Sequence, residues 1–162
     1  MKTIDQYLLM IKEILNKYPF QLDFKKSLKF HHDFYEFMEK HIPLLMKEKR
    51  YSDVFTLLTY IFLVLNDYDI VEIRITSTEC IFRLIQLYKE GNETIRHMIY
   101  EWTSHISMHT LKDELMSDFY NLKKSVGEAY RFESKKQDTS GSLLLRRWTE
   151  DEFNRWSLLL FQ

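Results

Sequence analysis

Glycine, proline and cysteine are scarce in this 162-residue chain, which has three Gly, two Pro and one Cys. Each shortage excludes something. A sheet-rich fold needs many tight turns, and tight turns draw on Gly, Pro and Asn, so the scarcity points to helices. Gly91, Gly127 and Gly141 stand far apart, which excludes a P-loop or a dinucleotide-binding glycine fingerprint. No Gly-x-Ser-x-Gly nucleophile elbow is present. Cys80, alone, forms no intramolecular disulfide and no cysteine-based zinc site. Its neighbours Ile81 and Phe82 argue for a small core hydrophobe rather than a nucleophile, which needs exposure and a paired His. The Glu-x-x-His of di-iron bundles and the zincin His-Glu-x-x-His are both missing, and with no catalytic motif in view the chain reads as a non-enzyme without a cofactor.

Excess charge is lacking too. Lys and Arg number 23 against 24 Asp and Glu, for a net charge of −1, and nucleic-acid binders carry a basic footprint. Two short hooks remain, Lys25-Lys26 with Lys29, and Arg146-Arg147 beside Trp148, where Arg next to an aromatic can stack on bases. Two pairs of cations on a neutral chain read as ordinary surface, so a nucleic-acid partner is not expected. The longest apolar run, Leu57 to Leu65, is broken by Thr59 and Tyr60 and falls short of the ~20 residues of a membrane span. The first residues, Met1 to Asp5, lack the apolar core of a signal peptide. The expected address is cytoplasmic, with no membrane contact and no small-molecule substrate.

What the chain does have is 45% hydrophobic and 29% charged residues, the balance of one globular domain. Twelve Phe, ten Tyr and three Trp suit both a core and a binding surface. Apolar residues recur at helical spacing throughout. A first helix spans Ile4 to Tyr18 with Ile4, Leu8, Ile11 and Leu15 on one stripe, stopped by Pro19. Asp23 caps a second, expected to be kinked at Pro43 and to reach about Lys49, broken if anywhere near His32-Asp33; its stripe reads Phe24, Leu28, His31 or His32, Tyr35, Met38, Ile42. Ser52 is the expected cap of a third, nearly all-round apolar helix ending near Leu65, which belongs at the centre of the domain. After the turn Asn66 to Asp69, the β-branched stretch Ile70 to Ile75 reads as the lead-in to a helix ending near Glu90, with Cys80, Ile81, Leu84, Ile85 and Tyr88 inward and Gly91 as C′ terminator. Asn92 caps the next helix, with Ile95, Met98, Ile99, Trp102 and Ile106 inward. Thr110 is the expected cap of another, carrying Leu111, Leu115, Phe119 and Leu122 and weakened at Gly127.

These signals divide the chain into a helical core (residues 1–133), a flexible loop (134–142) and an amphipathic C-terminal helical segment (143–162) opened by a capping box at Thr149-Glu150-Asp151-Glu152. A shift of 40 residues lays Ser52 on Asn92, Phe55 on Ile95, Leu58 on Met98, Thr59 on Ile99 and Phe62 on Trp102, a helix-pair repeat of solenoid type or a coincidence of two amphipathic helices. The fold class is all-α: six to eight helices, as antiparallel pairs stacked in a short α-solenoid (HEAT/TPR-like) or as an irregular bundle.

Two constellations bear on function. His97, Glu101, His105 and His109 fall four residues apart on one helix face, and imidazoles at that spacing can chelate a transition metal. The face lies opposite Ile99, Trp102 and Ile106, so a solvated polar stripe is the simpler expectation. In the last twenty residues Trp148, Phe153, Trp156 and Leu160 crowd beside Arg146 and Arg147. They form either a lid on the core or an arm that docks on a partner or a second copy, Trp and Arg being enriched where interfaces concentrate their energy.

The aromatic helix Phe30 to Ile42, the helix opening Tyr51-Ser52-Asp53-Val54-Phe55, the acidic turn Asn66-Asp67-Tyr68-Asp69-Ile70 and the segment Glu93 to Trp102 together resemble the helical region of bacterial SWIM zinc-finger-associated proteins. The resemblance runs from about Phe24 to Phe132. The acidic turn is sparser than in that family, and the Cys-x-Cys and Cys-x-His ligands of the finger are absent. It implies a helical-repeat accessory region that engages a partner without the metal module. The functional expectation is a non-catalytic protein–protein interaction or regulatory module, with self-association included. The alternatives from other classes are a metal-binding helical-bundle enzyme and a nucleic-acid accessory protein.

Overall fold

A computed structural model describes residues 2–137, with the side chains of residues 2–133. Six α-helices account for most of it: α1 (Ile4–Leu15), α2 (Phe24–Lys47), α3 (Tyr51–Val64), α4 (Arg74–Glu90), α5 (Glu93–His105) and α6 (Asp113–Gln137). No strand is present among the described residues. The all-α expectation holds. Each helix packs on the helix two places along, so α1, α3 and α5 make one row and α2, α4 and α6 a second, and the rows meet at α2–α3, α3–α4, α4–α5 and α5–α6.

The caps show why the helices start where they do. Thr3 accepts from the Gln6 amide while the Gln6 side chain accepts from the Thr3 amide, a reciprocal capping box. Asp23 caps α2 through the Lys26 amide, and Asn92 caps α5 through the Ile95 amide. α2 runs unbroken past His32-Asp33 and through Pro43. Ser52 is not a cap: α3 begins at Tyr51 after Arg50, which makes no side-chain capping bond. The 40-residue correspondence therefore fails at its caps, although its four apolar position pairs are buried on both sides. Thr110 is likewise not the cap of α6, which begins at Asp113; Thr110 closes a 3₁₀ turn, Met108–Thr110. At its other end α6 continues to Gln137, four residues into the stretch expected to be loop.

Two helix ends depart from the glycine logic of the sequence. α2 ends with Lys49 at φ 60°, the Arg50 amide donating to the Leu45 carbonyl and the Lys49 amide to that of Met46. This is the left-handed terminator usually built on glycine, here on an exposed lysine. Gly91, expected in that role, has φ −79°. It is needed for space instead: a Cβ there would stand 2.2 Å from Ile95 Cγ2 and 2.7 Å from the Leu87 carbonyl oxygen. The segment before α4 also differs. The helix starts only at Arg74, and Asp69 finds a partner in a single parallel bridge with Gln21.

The core is aromatic. Trp102 of α5 packs edge-to-face with Phe55 and Phe62 of α3 and Phe119 of α6, with centroids 6.1, 6.2 and 5.4 Å away. All four are essentially inaccessible, and burying each such side chain stabilises the fold by about 1.5–3 kcal/mol. α3 is buried nearly all round, as its composition predicts. The assignment of α2 needs correction: its core stripe is Phe30, Phe34, Phe37, Met38, Ile42 and Leu45, and Phe24, Leu28 and Tyr35 are exposed.

Two substitutions test these ends. Lys49→Gly should raise stability by about 1 kcal/mol by relieving the left-handed strain, and Gly91→Ala should lower it by about 1–3 kcal/mol through overpacking. Urea unfolding read by circular dichroism measures both.

Candidate interaction surface

α2 and α4 lie side by side in one row, joined by a polar seam. The Val71 amide donates to Ser27 Oγ (3.0 Å). His31 Nε2 donates to the Val71 carbonyl (3.0 Å), and the Thr76 hydroxyl donates to His31 Nδ1 (2.5 Å). A carbonyl only accepts, so Nε2 carries a proton, and the lowered proton affinity of the buried ring leaves Nδ1 to accept from Thr76. Farther along, Arg83 reaches Glu39 of α2 (2.6 Å) and Glu79 of its own helix (2.8 Å). On the opposite flank of α4 a buried carboxylate, Asp118 of α6, accepts from Arg74 (3.1 Å), Thr78 (3.1 Å) and Ser77. α4 has no side-chain cap of its own, and this carboxylate sits at its positive N-terminal end.

Residues just beside the seam turn outward. Phe24, Leu28 and Tyr35 come from α2; Val71, Ile75 and Phe82 come from α4 and the turn before it. All six are between 40% and 57% exposed. Single exposed apolar residues are ordinary; these six lie on two elements that the seam holds side by side, where an interaction surface can form. The exposed charges of α2 include Lys25, Lys26 and Lys29 near its start and Glu36 and Glu39 farther on, with Lys40 and Lys47 beyond them. Sequence periodicity hid this surface because α2 carries two apolar stripes, and the denser aromatic one (Phe30, Phe34, Phe37) takes the core.

The residues singled out from the sequence fare differently. His97 is not solvated: it is buried, with Nδ1 2.8 Å from the Tyr130 hydroxyl and Nε2 3.6 Å from Glu101. α6 covers this flank of α5, and Tyr130 also stacks on Tyr100 at 4.1 Å. His105 stays with Glu101, its Nδ1 3.3 Å from the carboxylate and 2.8 Å from the Glu101 carbonyl. His109 leaves the face altogether. α5 ends at His105, Ile106 is extended, and His109 lies in the separate 3₁₀ turn. Among the described residues no three His, Cys, Asp or Glu side chains converge as a metal-ligand set. Cys80 is fully buried and its thiol is pushed well above the usual range by that burial. Lys25, Lys26 and Lys29 are exposed on the first turns of α2. Arg146, Arg147, Trp148, Phe153, Trp156 and Leu160 lie outside the described residues. No described helix is long and apolar enough to cross a membrane.

Burial lowers the proton affinity of His31, and of His41, where Lys40 and Lys2 add to the effect. The unfolded chain then binds protons that the folded chain does not, starting near the ordinary histidine value of about 6.5. Stability should be level above pH 7 and fall as pH drops through 6.5. His31→Gln, which keeps a donor for the Val71 carbonyl, should flatten that fall. Urea midpoints measured from pH 7.5 to 5.5 check it, and a midpoint that rises on acidification sinks the idea.

Set against known proteins, the chain matches no family model, no curated protein and no solved structure.

Proposed function

We propose that this chain is a non-catalytic protein–protein interaction module that joins a second copy of itself across the outer face of α2 and α4. The observation that carries the reading is the exposed apolar set Phe24, Leu28, Tyr35, Val71, Ile75 and Phe82 on two elements joined by the seam. A two-fold pairing uses the same patch on both copies. Centred near His32, it lays the Lys25–Lys29 end of one α2 along the Glu36–Glu39 end of the other. Glu39 remains 57% exposed while bonded to Arg83, so it is accessible to a lysine from the other copy. At 24 residues, α2 is about 36 Å long, long enough for both ends to pair at once.

The sequence adds a second contact to the proposal. Arg146, Arg147, Trp148, Phe153, Trp156 and Leu160 form the segment that would engage a further protein partner, in keeping with the accessory role implied by the resemblance to SWIM-associated helical regions.

Sedimentation or light scattering on the purified chain tests the pairing. The wild type should be a dimer, and Phe82→Glu a monomer with unchanged circular dichroism. Lys29→Glu should weaken the dimer, and adding Glu36→Lys should restore it. A wild type that stays monomeric at high concentration, or a Phe82→Glu variant that still dimerises, removes the proposal. Trp156→Ala should leave the helical signal intact and reduce capture of a partner; an unfolded variant would make that segment part of the core.

A further inference from the structure

His32 and Glu36 stand one turn apart on the outward face of α2, with side chains 65% and 66% exposed. His32 Nε2 lies 3.4 Å from Glu36 Oε1. Two ligand atoms held about 2.0–2.1 Å from a zinc ion at the tetrahedral angle stand about 3.4 Å apart. The pair therefore has the spacing of half a tetrahedral site.

Neither side chain makes a hydrogen bond among the described residues, which sets this pair apart. The His97–Glu101 and His105–Glu101 pairs share one carboxylate. His97 is also buried against Tyr130, and His105 Nδ1 is held by the Glu101 carbonyl. Asp33, beside His32, takes the Tyr18 hydroxyl. Within one chain no third His, Cys, Asp or Glu among the described residues completes a ligand set. Two ligands on one chain are half of what a closed zinc site needs, and symmetry supplies the other half.

We propose that a zinc ion on the two-fold axis joins two copies of the chain, held by His32 Nε2 and a Glu36 carboxylate oxygen from each. The site rests on the two-fold pairing proposed above. An axis close to His32 sets His32 and Glu36 of one α2 opposite Glu36 and His32 of the antiparallel α2. Packed helices lie about 8–10 Å apart, a gap that histidine and glutamate side chains from both sides span to a common point. Two imidazoles and two carboxylates are a zinc donor set. Calcium and magnesium take oxygen ligands in larger number. Two carboxylates also cancel the charge of a divalent ion, and the ion removes the repulsion between the two Glu36 side chains that the axis brings together.

The test uses the full chain in zinc chloride or in EDTA. Sedimentation gives the dimer dissociation constant in both conditions for each variant, so metal and apolar contact are scored separately. Zinc should tighten the wild-type dimer about tenfold or more, as a ligand bound by the dimer must, with one ion per two chains by calorimetry. His32→Ala and Glu36→Gln should each show the same constant in zinc as in EDTA. So should the Lys29→Glu, Glu36→Lys exchange, which keeps the pairing and lacks the carboxylate. Cobalt in place of zinc should give the intense visible absorption of a tetrahedral site in the wild type and not in His32→Ala. A wild type that dimerises equally in zinc and EDTA overturns the metal site and leaves the pairing standing. One that dimerises only in zinc supports the metal site and removes the apolar pairing. A chain monomeric in both conditions overturns both, and a zinc response that persists in His32→Ala overturns the assignment of the ligands.

Discussion

Four rings hold three helices together. Trp102 packs edge-to-face with Phe55, Phe62 and Phe119, so α3, α5 and α6 share one buried contact. Its indole nitrogen is buried with no hydrogen-bond partner among the described residues. That is a cost which the edge-to-face contacts and the buried area must exceed. The packing of α4 depends on this cluster, because α4 lies against both α3 and α6. α2 follows, because its seam is made with α4. The outer face is a consequence of where the rings put α4.

Polar bonds then fix register where apolar packing alone is permissive. His31 holds the turn before α4, Asp118 supplies the negative charge that its first turn lacks, and Arg83 ties its middle to α2. Each comes from a different helix, and together they fix the rotation of α4 about its axis. That rotation decides that Ile75 and Phe82 point outward while Leu84 and Leu87 point in.

How much of this was legible in the sequence depended on the width of each buried arc. α3 was readable because its apolar residues outnumber the positions on one face, and the inward faces of α4, α5 and α6 because their apolar residues fall mainly on one stripe. α2 was misread, since Phe24, Leu28 and Tyr35 also fit a helical stripe and spacing alone cannot rank two stripes. The face with His97 was misread for the opposite reason. A histidine near the polar side looks solvated until Tyr130, 33 residues later, is laid over it. Helix ends were the least readable. A left-handed lysine at position 49 leaves no compositional trace, and Gly91 is demanded by the side chain of Ile95 rather than by its own dihedral angles.

The two-row stacking has a kinetic meaning. Nearly all the helix contacts described above join helices that are adjacent or next-but-one in the chain, and the entropy of closing the loops between them grows only slowly with loop length. Assembly can proceed outward from the α3–α5–α6 rings without waiting for a distant strand to arrive. The same locality makes the ends uneven. α1 packs chiefly on α3, so it is the helix whose detachment disturbs least, and the chain can loosen from its N-terminal end while the aromatic centre stays closed.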